Sequence, residues 1–401
     1  MEEKKGGIIR PSFFIFPKHW FLLLLKLLLF PQMSESKRIY QIDLFRFIAA
    51  SAVVLYHYLY RGYAAGNMSL LGFDGVGEYF KYGYLGVDLF FIISGFVIAF
   101  SIKHLSLRKF CYSRFKRLYP MYWICLLLTF IVSYLWGAPR YHVTFTQLLA
   151  NLTMVQKLWG QGDVDGAYWS LYVELKFYLI IALFLILNRF KKISLDYLVY
   201  FWLLLSSLRF FVGPSEIYDA IHEFFLLDWS AYFIAGIIFC QIFLHGPKVQ
   251  HFVALPWCLY ISIDGAVGRI HWLERTFHSD FSPYIIGATI VVFYLLMLLV
   301  SCKKLQAINS SGFVKIGMLT YPLYLIHQHI GFIIFNHLYL YLNKYLLLSG
   351  VIILMLALAY LLSDRIEPRI MKHFRSILAF LPLLAGGRIC GPVDDSRLDG
   401  Q

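Results

Sequence analysis

His57 lies near the end of an otherwise apolar stretch, IDLFRFIAASAVVLYHY (residues 42–58), in which Asp43 and Arg46 stand three apart near the start. Eleven residues separate Arg46 from His57, close to three helical turns, so on a helix the two share a face about 16 Å apart. An imidazole so placed is equipped to take a proton from a hydroxyl or to carry an acyl group itself. An interfacial arginine and a histidine snorkelling at a helix end would leave the same pattern. Asp88 opens a second such stretch, GVDLFFIISGFVI, where Ser94, Gly95 and Phe96 imply close backbone approach or a local break. Arg114 and Arg117 follow in RFKRLYPMYW. Their planar forks match phosphate oxygens, although topology alone also places arginines at such a point. In WSLYVELKFY, after Trp169, the residues Ser170, Glu174 and Tyr178 recur every four, on one helical face. Late in the chain, TYPLYLIHQH sets Tyr321, Tyr324, Gln328 and the adjacent His327 on a broad polar face. Glu174 or Asp88 could hold the tautomer of His57, as a carboxylate does in a triad.

The elements that must position these groups are membrane spans. Of 401 residues, 60% are hydrophobic and 15% charged, against about 25% charged in soluble domains. The mean hydropathy is +0.66. Apolar runs of about 18–22 residues, the length that crosses a bilayer core, recur along nearly the whole chain. Ten spans are expected, at 43–60, 83–102, 118–136, 168–188, 195–213, 225–244, 251–265, 283–301, 316–337 and 346–363. The seventh is the weakest, being interrupted by Pro256, Asp264 and Gly265. The class is all-α and polytopic. Ionisable groups inside such spans cost several kcal/mol and mark a pathway or a site.

The net charge of +13 belongs to the connections. With the start of the first span inside, the inside connections carry 19 Lys and Arg and the outside ones about 8, so both ends of the core are cytoplasmic. A nucleic-acid partner is excluded by that distribution. The six cysteines form no CxxC pattern, and the histidines no HExxH, so no metal is expected. Residues 1–32 read as an extension ahead of a natural start at Met33, or as an extra helix. Residues 33–375 form one membrane domain, and 376–401 a short cytoplasmic tail.

In these motifs, and in their order from Ile39 to about Asp364, the chain resembles the membrane acyltransferases of acyltransferase family 3. It departs in the opening motif, where the family's LDGLRG stands as IDLFRF without its glycines, so that only Asp43 and Arg46 carry over. The resemblance implies transfer of an acyl group, usually acetyl, from cytoplasmic acyl-coenzyme A to a hydroxyl of a surface polysaccharide or glycolipid sugar, such as lipopolysaccharide, at the outer face of a bacterial cytoplasmic (inner) membrane. It implies that His57 is the critical histidine, that Arg46, Arg114 and Arg117 serve the donor, and that Ser94, Trp169, Ser170, Tyr178 and His327 line the substrates' path. A thioester donor needs no cofactor. Without the esterase-like domain of some relatives, the chain would acylate the acceptor directly or through a separate partner. The rival from another class is a transporter of lipid-linked glycans or solutes, which usually shows inverted repeats; none is visible here.

Overall fold

A computed structural model describes residues 38–372, apart from 67, 103–105, 192, 214 and 309. The expectations for residues 1–32 and 376–401 lie outside the described residues. Every described regular element is a helix. In chain order they are α1 (Tyr40–Ala64), α2 (Val76–Ile102, broken at Lys81 and Tyr82), α3 (Leu107–Trp136), the short α4 (Phe145–Asn151), α5 (Gly166–Lys191) and α6 (Leu195–Ser207). There follow α7 (Glu216–Phe224), α8 (Ser230–His245), α9 (His251–Phe277), α10 (Pro283–Ser301), α11 (Phe313–Leu338) and α12 (Lys344–Lys372). Eight of them are long and apolar enough to cross a membrane. The protein is a multi-pass membrane protein. The segments expected as spans five and six are shorter helices, α6 with 13 residues and α8 with 16.

Helix ends sort onto two faces. On one, the Gln41 amide donates to the Leu305 carbonyl at 2.8 Å, and Gln241 and Gln250 both donate to Asp196. Arg38, Arg108, Lys109, Arg189, Lys191, Lys303 and Lys304 lie at this end, hereafter the basic face. On the opposite face the Ser282 amide donates to the Tyr82 hydroxyl, and the Leu70 amide donates to Asn336 Oδ1, both at 2.8 Å.

The centre is built from α2, α8 and α11. Within their apolar windows, 78% of α2 and 72% of α11 is buried inside the protein, against 33% for α9, α10 and α12, which turn toward lipid. Apolar side chains such as Leu204, Val253 and Ile353 are more than half exposed on the periphery, where hydrocarbon replaces water as the neighbour. Helix α8 is short and buried nearly all round, from Ala231 to Cys240. It meets α2 through a pair of glycines. A Cβ on Gly236 would strike the Ile92 carbonyl oxygen, and one on Gly95 would strike that of Phe233. Small residues let apolar helices approach closely where no hydrophobic force between them operates. Of the two readings of Ser94–Phe96, the structure has close approach: α2 runs unbroken from Gly86 to Ile102.

Two expectations change. Span seven is not a short interrupted segment: α9 runs 27 residues through Pro256, Asp264 and Gly265. Pro256 falls within its second turn, and Asp264 forms an ion pair with Arg209 at the end of α6. The charge that broke the hydropathy pattern is neutralised by a neighbouring helix. Likewise span three begins earlier than residue 118, so that Arg114 and Arg117 at its mouth lie within the helix itself. They belong to α3, which begins at Leu107 with Ser106 Oγ accepting the Lys109 amide. In α11, Pro322 removes the N–H that would pair with the Met318 carbonyl. Ser363 Oγ from α12 donates to that carbonyl at 3.0 Å, so no backbone acceptor is stranded in the apolar interior.

Candidate active site

Helix α1 changes winding at His57. Residues His57–Arg61 form a π turn, with the Gly62 N–H reaching back five residues to the His57 carbonyl. Such bulges are rare and recur at functional sites. Here the turn fixes His57, 8% exposed, against α11. The Tyr58 hydroxyl donates to the His327 carbonyl at 2.6 Å. A Cβ on Gly331, one turn further along α11, would collide with that hydroxyl, so only glycine admits the contact.

The two imidazoles meet at 3.3 Å, His57 Nδ1 to His327 Nε2, with ring centroids 4.9 Å apart. Their remaining contacts assign the protons. His57 Nδ1 also faces the Val53 carbonyl at 2.8 Å, and His327 Nδ1 faces the Tyr324 carbonyl at 2.7 Å. A carbonyl only accepts, so both Nδ1 atoms carry hydrogen. The Nδ1–H of His57 is then shared between Val53 O and the lone pair on His327 Nε2. His57 Nε2 is left as a bare lone pair with no hydrogen-bond partner among the described residues. That is the state a general base needs. Behind His327, Tyr324 and Ser170 share a 2.7 Å hydrogen bond, and both hydroxyls lie within reach of the Ala167 carbonyl.

Toward the basic face, a second cluster gathers around Glu174. Its Oε1 accepts from Ser94 Oγ at 3.2 Å and, in a short hydrogen bond, from the Tyr178 hydroxyl. The guanidinium of Arg114 lies 5.8 Å from the centres of both the Phe110 and Tyr178 rings, and its Nη1 is buried without a partner. Arg117, Glu174 and Tyr178 are electrostatic neighbours of Arg46, and Arg117 and Glu174 are likewise neighbours of Arg114. Three arginines from two helices therefore gather around Glu174, with Asp43 also acting on Arg46; Arg46 and Arg114 are half-buried and Arg117 is exposed, which leaves an excess of positive charge there. Asp43 acts on Arg46 more strongly than Glu174 does, and is itself held by Arg38 Nε at 3.0 Å.

Neither carboxylate suggested by the sequence touches His57 among the described residues. Glu174 joins the arginine cluster, because α5 turns that side of itself toward α2 and α3. Asp88, 2% exposed, is held by Arg269 Nη2 and the Tyr232 hydroxyl, each at 3.2 Å. Arg269 in turn lies over Trp229, whose ring is 5.2 Å from that of Trp169. Trp169 and Asp88 thus belong to an aromatic and ionic joint between α2, α5, α8 and α9. What the structure does bring together is His57 with His327, Ser170 with Tyr324, and Glu174 with Ser94, Tyr178 and the arginines. Asp165 and His329 escaped sequence reasoning. Asp165, fully buried, accepts the His329 backbone amide at 2.9 Å and the Ala167 amide at 2.8 Å. The signal was present in the HQH run and in the DGAY that opens α5, but neither forms a catalytic pattern by itself.

The sequence profile of the acyltransferase domain family matches residues 39–364, most of the chain and every helix named in the two clusters. The chain belongs to acyltransferase family 3. This acyltransferase is also similar to ORF330 of Acidianus two-tailed virus, a protein named as a candidate acetyltransferase, with 24% identity over 260 residues that cover 62% of this chain and 73% of the viral one. No solved structure matches it. The acyltransferase is an enzyme that moves acyl groups; its histidine pair is buried within its bundle of membrane helices, and its arginine cluster reaches the surface at Arg117.

Proposed function

We propose that this acyltransferase carries an acetyl group from cytoplasmic acetyl-coenzyme A to a sugar hydroxyl on the far side of a bacterial cytoplasmic membrane, with His57 as the base. The single observation that supports it most is the pairing of a bare, oriented imidazole nitrogen with an arginine cluster whose Arg46 stands on the same helix, about 16 Å away along α1. The excess of Lys and Arg makes the basic face cytoplasmic. There Arg46, Arg114 and Arg117 receive the phosphates of the donor, Arg114 with a buried Nη1 that lacks any other partner. The extended pantetheine arm then lies along α1 and brings the thioester to His57.

In the transfer, the acceptor oxygen attacks the thioester carbonyl while His57 Nε2 takes its proton. A C–O bond forms, the C–S bond breaks, and the departing thiolate takes the proton back from the imidazolium. During the step His57 carries both protons. Its Nδ1–H keeps the Val53 carbonyl and the His327 lone pair as acceptors, which stabilises the charged ring where an aspartate would in a triad. The thioester is itself the activated group, so the chemistry calls for no further cofactor. The test is His57→Ala in purified protein reconstituted in vesicles. Loss of a general base lowers turnover roughly 10²–10⁴-fold, with insertion and thermal stability retained. A variant that keeps more than about a tenth of wild-type turnover removes His57 from the chemistry.

A further inference from the structure

On the face away from the arginines, the segment between α3 and α5 folds back over the end of α11 and leaves an open cavity of about 200 Å³. Arg140, Tyr141, His142, Gln147, Asp163 and His329 supply its polar and aromatic lining. Tyr141 is fixed by its hydroxyl, which donates to the Met68 carbonyl, and its ring centre lies 4.6 Å from that of His329. The Gly166 amide donates to His329 Nε2 at 3.4 Å, which puts the proton of the neutral ring on Nδ1. That Nδ1 is buried and closes no well-formed hydrogen bond, although the Val164 carbonyl faces the ring. The Asp163 carboxylate accepts from the Gln156 amide, and burial pushes its pKa upward against that bond. Arg140 and His142 stand exposed at the rim.

The cavity ends one layer of side chains from the base. His329 is two residues beyond His327, whose Nε2 meets His57. The Phe332 ring lies 6.4 Å from both Tyr141 and His57, bridging the cavity floor to the imidazole. The volume is below the roughly 300–1,000 Å³ of pockets that take drug-sized ligands. It holds several waters at about 30 Å³ each, which suits one ring of a polyol with the remainder of the molecule outside. Unspent donors, a carboxylate and a buried aromatic ring are what a sugar ring presents itself to. On the same segment Phe145, Leu149, Leu158 and Trp159 are each more than 60% exposed, an apolar strip that would rest in the membrane interface beside the opening.

We propose that this cavity seats the sugar ring that bears the acceptor hydroxyl, with His329 Nδ1–H and Arg140 as donors to its oxygens and the Phe332 ring turning aside to let the hydroxyl reach His57. The proposal rests on acyl transfer to a sugar at His57 and names where that sugar binds. The sugar can arrive on a polysaccharide or on a membrane lipid, and both sources share the ring chemistry. The test uses the full chain in vesicles with radiolabelled acetyl-coenzyme A and two acceptor preparations from the producing cells, delipidated surface polysaccharide and total lipid extract. His329→Gln preserves the backbone amide that Asp165 holds, and Arg140→Ala changes an exposed side chain, so neither disturbs the fold. Each should raise the half-saturating acceptor concentration about 3–10-fold, the worth of one hydrogen bond, with the KM for acetyl-coenzyme A unmoved. The preparation whose saturation shifts identifies the source. As an independent check, His142→Cys blocked with a bulky, membrane-impermeant maleimide on sealed right-side-out vesicles and then quenched should lose transfer, while wild-type protein treated in the same way, with its exposed Cys111 on the other face, keeps it. Unchanged acceptor saturation in both substitutions, or a shift confined to the donor, overturns the cavity assignment while His57-dependent transfer stands. Wild-type protein that transfers no acetyl group in a His57-dependent manner overturns the underlying reading as well.

Discussion

Replacing His327 by Phe isolates what the second imidazole contributes. The substitution keeps an aromatic ring of similar volume in a fully buried site but deletes Nε2, which lies 3.3 Å from His57 Nδ1. The tautomer of His57 should survive, because the Val53 carbonyl still accepts Nδ1–H at 2.8 Å. What is lost is the second acceptor for a proton that becomes part of a cation during transfer. A hydrogen bond to a charged group contributes about 1.5–3 kcal/mol, and about 1.36 kcal/mol is a factor of ten in rate. The variant should therefore lose about 10- to 150-fold in kcat, less than the loss from His57→Ala, with the KM for acetyl-coenzyme A unchanged. Single-turnover transfer from radiolabelled acetyl-coenzyme A in vesicles measures this directly. The double variant His57→Ala, His327→Phe should be no slower than His57→Ala alone, since the second histidine acts only through the first. If His327→Phe is as inactive as His57→Ala, His327 is itself the base; if it is fully active, the 3.3 Å contact carries no weight. Either result refutes the assignment of roles.

Arg114→Lys with Arg117→Lys keeps the charge, and so the orientation, but removes the bidentate forks; the KM for acetyl-coenzyme A should rise about tenfold or more, and an unchanged donor KM would reduce the pair to a topology signal. Asp88→Asn should destabilise the protein by about 3–5 kcal/mol in detergent, read as a lowered unfolding midpoint, because it strands Arg269 in an interior site; wild-type stability would mean that solvent already screens the pair. Gly95→Val forces a side chain into the Phe233 carbonyl at the α2–α8 crossing, which should cost about 1–3 kcal/mol and shorten the half-life in detergent; no change would mean that the crossing can open freely.

Much of the bundle was legible because a bilayer demands long apolar runs, and these survive any rearrangement of the helices. Helix α10 shows it best: its expected bounds, 283 and 301, coincide with the structure, fixed by Pro283 in the first turn and by the end of the apolar run at Ser301. Span seven runs past its expected end for a converse reason. Asp264 is compensated by Arg209 on another helix, and a hydropathy pattern along one segment cannot register a charge on its neighbour. Span three starts at Leu107 rather than at 118, because helicity does not end where hydrophobicity does and α3 extends well past its apolar part. For α1, spacing along the chain identifies neighbours within the helix and none beyond it. Spacing puts residues on a common face, but the rotation of that helix against the others decides what the face meets. Thus Glu174 turned to Ser94 and the arginines, and His57 found His327. Asp165 and His329 became visible only when the loop before α5 closed onto α11.

Donor and acceptor that enter from opposite faces and meet at His57 can be separated in sealed vesicles of defined orientation, with surface glycan trapped in the lumen of inside-out vesicles and acetyl-coenzyme A supplied outside. Inside-out vesicles should acetylate the enclosed glycan, and the His57→Ala protein should not. Right-side-out vesicles, given glycan and acetyl-coenzyme A outside, should be silent until they are permeabilised. Equal transfer in both orientations without permeabilisation would contradict the account, since donor and acceptor would then share a face.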